Sequence, residues 1–276
     1  MKRLFATATA IALVATLGAC KQDAAPDTEI AAETAEGAGI DGTWVMNLDQ
    51  AKFDGKPLDI LLKDGTYSCA NCTPPLTVAA DGEFHALTGR DYSDAMSVKI
   101  DSDSAITTVT KRGDMQLGTV TSTVSADGKT LTRNYTDTSV ENGKPVTGTD
   151  IMTRVGEAPA GAHAVSGKWK MTKIEKLSDE GMTATFTSTA DTLKMVAPDG
   201  SSWEAKLDGT DTPIVGNVAG ATISVTKTGD NAYRMVSKLR GKETSTGELM
   251  VEGDTLRFSQ VDTRTGDKSS MTATRK

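Results

Sequence analysis

The 276-residue chain carries 30 basic against 37 acidic side chains, a formal net charge of −7. That balance argues against charge-driven binding to nucleic acid or anionic lipid surfaces. Aromatic residues make up only 4% while 37% are hydrophobic, so a core has to be built from Val, Leu, Ile, Met and Ala. Thr is plentiful in the strand-like segments.

At the N-terminus, Lys2 and Arg3 precede an apolar run from Leu4 to Leu17. The run is too short for a membrane-spanning helix, which needs roughly 20 residues, and it has the layout of an export signal. Its end, Leu17-Gly18-Ala19-Cys20, resembles the lipobox of bacterial lipoprotein signal peptides. The resemblance implies removal of residues 1–19 and acylation of Cys20, through a diacylglyceryl thioether and an amide-linked chain such as palmitate. A single acyl chain holds only marginally, at about 0.8 kcal/mol per buried methylene; several together anchor the protein. Lys21 follows the cysteine, where Asp is the usual inner-membrane retention signal, so the resemblance places the protein in the outer membrane, facing the periplasm. Loss of residues 1–19 takes two of the 30 bases and no acid, leaving a net charge of −9. The segment that follows, through residue 39, has almost no large apolar side chain. It cannot offset its ordering entropy and reads as a disordered tether on lipidated Cys20.

From Ile40 onward the chain repeats itself. Asp41-Gly42-Thr43-Trp44-Val45-Met46 matches Ser166-Gly167-Lys168-Trp169-Lys170-Met171, and both copies end alike, in Met152-Thr153-Arg154 and Ala273-Thr274-Arg275. This sets two units, 40–155 and 166–276, joined by a linker at 156–165 of Gly, Ala, Pro and Glu. Within each, apolar and polar residues alternate, as in Thr119-Val120-Thr121-Ser122-Thr123-Val124 and Thr222-Ile223-Ser224-Val225, the mark of half-buried strands. Asp64-Gly65, Asp81-Gly82, Asp127-Gly128, Asn142-Gly143, Asp199-Gly200 and Asp208-Gly209 supply hairpin turns. Eight or nine strands per unit are expected, with no sustained helical periodicity after the signal. The fold class is all-β, a sandwich or an up-and-down barrel.

Gly42-x-Trp44 and Gly167-x-Trp169 open the units, and Arg154 and Arg275 close them. This arrangement resembles the lipocalin pattern, in which the arginine from the last strand lies on the tryptophan of the first. The chain from Ile40 onward is similar to bacterial envelope proteins with one or two lipocalin-like units. The resemblance implies two tandem antiparallel up-and-down barrels, with Trp44 on Arg154 and Trp169 on Arg275, each pair within its own unit. A guanidinium flat on an indole would cap each barrel floor. Both units are shorter than typical lipocalins and poor in aromatics, which leaves open a barrel simply filled by side chains.

Chemistry-bearing residues are few. Cys69-Ala70-Asn71-Cys72 is compatible with a redox pair, half a metal site or a plain disulfide. A redox pair needs a helix N-terminus to lower the thiol pKa, and zinc needs two more ligands. A disulfide stapling a hairpin tip in an oxidising compartment is the favoured reading. His85 on a strand and His163 in the linker lack triad partners, and Asp101-Ser102-Asp103 lacks the glycine and distal Glu of a calcium loop. No catalytic residue, metal site or cofactor is expected. The function expected is a non-enzymatic binding or interaction module, held to the membrane through Cys20, for a small apolar ligand or an envelope protein and not for nucleic acid. The alternatives are a structural envelope protein with filled barrels and, less favoured, redox or metal chemistry at Cys69 and Cys72.

Overall fold

The alternating pattern becomes twenty strands in the computed structural model, which describes residues 39–276. The expected signal peptide, Cys20 and the tether up to residue 38 lie outside the described residues. The first repeat supplies β1 (Gly42–Asp54), β2 (Leu58–Lys63), β3 (Thr66–Cys69), β4 (Leu76–Ala79), β5 (Phe84–Ala86), β6 (Ala95–Ser102), β7 (Ala105–Arg112), β8 (Met115–Val124), β9 (Thr130–Asp137) and β10 (Val146–Val155). The second supplies β11 (Gly167–Leu177), one helical turn α1 (Asp179–Met182), then β12 (Thr183–Ser188), β13 (Thr192–Val196), β14 (Ser202–Lys206) and β15 (Thr212–Pro213). It ends with β16 (Ala221–Gly229), β17 (Ala232–Leu239), β18 (Lys242–Glu252), β19 (Thr255–Asp262) and β20 (Lys268–Arg275). Each repeat thus has ten strands, one in each only two or three residues long and invisible to a periodicity count.

The strands form two nearly closed, antiparallel, ten-stranded sheets with up-and-down order. Barrel 1 runs β4-β3-β2-β11-β10-β9-β8-β7-β6-β5, and barrel 2 runs β14-β13-β12-β1-β20-β19-β18-β17-β16-β15. The repeats therefore exchange their first strands. In barrel 1, β11 lies between β2 and β10; in barrel 2, β1 lies between β12 and β20. This corrects the expected units 40–155 and 166–276, since β1 leaves the first and β11 joins it. The physical reason lies in the repeat. Both first strands read Gly-x-Trp-x-Met, so either fits either slot with its apolar side chains inward. Joined to β10 by the link 156–166, β11 folds back on it as the next strand of a meander.

Two cores result. Leu62, Met96, Ile106, Leu131, Met152 and Trp169 are fully buried in barrel 1, and Trp44, Leu193, Met195 and Val225 in barrel 2. β1 breaks register between Asn47 and Lys52, and at that bulge Leu48 packs against the core of barrel 1, as does Phe53 further on. Through these residues β1, a strand of barrel 2, reaches the core of barrel 1.

Candidate ligand-binding site

Each barrel has a floor and a mouth, and the floors are built alike. Trp44 Nε1 donates to the carbonyl of Ile40 at 2.8 Å, and Trp169 Nε1 to that of Val165 at 2.8 Å. The guanidinium of Arg275 lies 4.2 Å from the centre of the Trp44 ring, and that of Arg154 lies 4.0 Å from Trp169. The expected pairs Trp44–Arg154 and Trp169–Arg275 are therefore crossed. All four residues serve the floors, but with the partners that strand exchange provides. Arg154 also donates to the carbonyls of Ser166 and Ala164 at 2.6 and 2.8 Å, and Arg275 to those of Asp41 and Gly39. Gly42 and Gly167 sit at φ +118° and +125° with their faces against these guanidinium groups. A Cβ there would meet both the arginine and a disfavoured backbone conformation.

Register places the opposite ends of both barrels on one seam. Leu177, Val146 and Asp137, at the mouth of barrel 1, and Ala221, Leu239 and Asp262, at the mouth of barrel 2, line one cavity of about 240 Å³. The seam is fastened by an antiparallel bridge between Val140 and Asn217 and by backbone hydrogen bonds from the Glu141 amide to the Gly216 carbonyl and from the Lys144 amide to the Asp199 carbonyl. Arg240 and Asp91 add an ion pair at 3.5 Å. A second cavity, of about 100 Å³, lies inside barrel 2 among Met46, Met195, Met235, Leu249 and Phe258. The two share Met46, Ile223, Ser237, Ser245, Gln260 and Met271 as common wall.

The layer below the mouth differs between the barrels. In barrel 1 it holds the cross-strand pair Arg133 and Asp150, 8% and 4% exposed, with the nearest charged atoms 3.9 Å apart. At the corresponding place barrel 2 pairs Phe258 with Met271. Burial pushes the Asp150 carboxyl up to about 6, against the pull of Arg133. Next along, Tyr135 lies over Gly148, where any side chain would strike its hydroxyl. Burial, and then the Asp150 charge, raise its pKa and keep the phenol neutral. Arg133 Nη1 is buried with no hydrogen-bond partner among the described residues, as are Ser201 Oγ and Trp203 Nε1. A buried donor left unpaired costs about 1–3 kcal/mol, so the Arg133 layer is set up to receive an acceptor. Asp199, also on the cavity wall, is raised to about 6 by burial, although the Ser201 amide donates to it at 2.8 Å.

The other sequence-selected residues lie apart from this site. Cys69 and Cys72 are buried in the barrel 1 core with their sulfurs at bonding distance, 2.06 Å. His85 accompanies Asp81 at the surface, at 2.8 Å, and His163 donates from Nε2 to the Ser102 carbonyl at 2.7 Å. Among the described residues, no three His, Cys, Asp or Glu side chains come together. Sequence reasoning missed Arg133, Tyr135 and Asp150. The usable signal was a comparison of the repeats, because Arg133 and Asp150 stand where the second copy has Phe258 and Met271.

No family model, curated protein or solved structure matches this chain.

Proposed function

We propose that the chain is a lipid-anchored bacterial envelope protein whose two lipocalin-like barrels carry a small ligand, without catalysis, in the chamber between their mouths. The observation that carries this reading is the cavity of about 240 Å³ where both mouths meet. Together with the adjoining space in barrel 2 it falls near the lower end of the roughly 300–1,000 Å³ typical of ligand pockets. Its walls mix apolar side chains with about as many polar ones, eight of them charged, which suits binding and orientation. Leu17-Gly18-Ala19-Cys20 supports the anchor, and Lys21 an outer-membrane, periplasm-facing address. Burial of Cys69 and Cys72 within a core argues against thiol exchange with a partner.

Native mass spectrometry of the protein purified from its own membrane tests both parts. The expected species lacks residues 1–19, carries acyl chains on Cys20 and retains a small molecule. Cys20→Ser should yield soluble protein or an unprocessed precursor. A lipid-free mature chain that stays membrane-bound, or the absence of any retained molecule in every preparation, would overturn the corresponding part.

A further inference from the structure

We infer, building on the ligand-carrying reading above, that the chamber takes an uncharged amphiphile, with its carbon chain inside barrel 2 and an ester or hydroxyl oxygen accepting from Arg133. The two ends of the space are chemically unlike at equivalent positions. Arg133 and Asp150 face it from barrel 1, whereas Phe258 and Met271 occupy the same layer of barrel 2. Met46, Met235 and Leu249 extend the apolar end inward. Unbranched methionine side chains adapt to a flexible chain.

The character of the head group follows from the charges around Arg133. Its Nη1 is buried, unpartnered among the described residues, and belongs to a side chain that lines the chamber. A donor in that state calls for an acceptor. Asp150, 3.9 Å away, already balances the positive charge. Arg264 and Lys238 are committed to Asp262 at 2.6 Å and Asp211 at 2.8 Å. Asp137 and buried Asp199 add negative charge, opposed by Lys144, which is exposed. An anionic head would meet uncompensated carboxylates, and a cationic head would meet Arg133. A neutral oxygen satisfies the vacant N–H and leaves the pair balanced.

The test uses three twelve-carbon probes at pH 7.5, below their micelle concentrations: 1-monolauroylglycerol, laurate and dodecyltrimethylammonium. The protein is the full chain with Cys20→Ser, which leaves residues 39–276 intact and removes the expected site of acylation. Calorimetry should show the neutral probe binding at least tenfold more tightly than either charged one. Arg133→Phe combined with Asp150→Met, which copies the barrel 2 layer, should weaken the neutral probe at least tenfold while the melting temperature is kept. Laurate or the cation binding as tightly as the neutral probe overturns the inference, as does unchanged binding by the double variant. Failure of all three probes overturns it too. If mass spectrometry then shows a retained but ionised molecule, the carrying function stands and only the head-group assignment falls; if nothing is retained, both fall.

Discussion

Removing the charge at position 150 alone should destabilise barrel 1 severely, and removing its partner as well should restore it. Asp150→Met leaves the Arg133 guanidinium, 8% exposed, buried with no counter-charge. Breaking a buried pair from one side costs about 3–5 kcal/mol, whereas replacing both partners by packed apolar residues is neutral or stabilising by about 1–4 kcal/mol. The fold already shows that the layer accepts apolar residues, because Phe258 and Met271 fill it in barrel 2. Arg133→Phe with Asp150→Met should therefore unfold within about 1 kcal/mol of wild type, or later. At about 2–4 °C per kcal/mol for a chain of this size, the single variant should melt about 6–20 °C early. Urea titrations of wild type, both single variants and the double form a complete cycle. Additive losses, with the double variant less stable than either single, would refute the idea that the two charges form a mutually dependent pair.

Acid should be tolerated unusually well at two sites. Asp150 and Asp199 are both raised to about 6 by burial, so between about pH 4 and 6 the native state holds protons that the unfolded chain has released. Their contribution to stability is therefore full below about pH 4 and falls as pH rises towards 6. Asp199→Asn should flatten that part of a urea-stability profile, and an unchanged slope would count against it. On the barrel floor, Trp169→Ala should cost about 3–5 kcal/mol, and Arg154→Ala less, since its hydrocarbon stem and partly wet head lose less packing. A cycle should show coupling between Trp169 and Arg154 and additivity, within about 0.5 kcal/mol, between Trp169 and Arg275; the opposite pattern would restore pairing within each repeat. Cys69 and Cys72 should both resist alkylation in denaturant until a reductant is added, and two labelled thiols without reductant would remove the staple. Denaturant is needed because both residues are buried when folded.

Strands and turns were legible because local rules govern them. Asp64 and Gly65, at φ 50° and 70°, form the two-residue turn their dipeptide announces. The inward-facing Val120 and Val124 of β8 follow directly from alternation. Strand partnership was not legible, since Trp44 and Trp169 present the same pattern to Arg154 and Arg275 and nothing local separates the choices. The short strands Phe84–Ala86 and Thr212–Pro213 are too brief to show a period. Arg133 and Asp150 were overlooked for a different reason. A lone charge within a strand reads as solvent-facing, and only the two strands paired in register show the charges opposite each other and facing inward.

Exchange of the first strands joins the two mouths into one chamber, and a designed disulfide tests it most directly. Thr43 on β1 is the register partner of Thr185 on β12, with their hydroxyl oxygens 2.9 Å apart, within the reach of a disulfide. Without exchange, Thr43 would take the place that Lys168 holds beside Asp59. Peptide mass spectrometry of oxidised protein, with isotopically mixed chains to identify any link between molecules, reads out the partner. The exchanged fold predicts an intramolecular bond in Thr43→Cys/Thr185→Cys and none in Thr43→Cys/Asp59→Cys; the reverse result would contradict it.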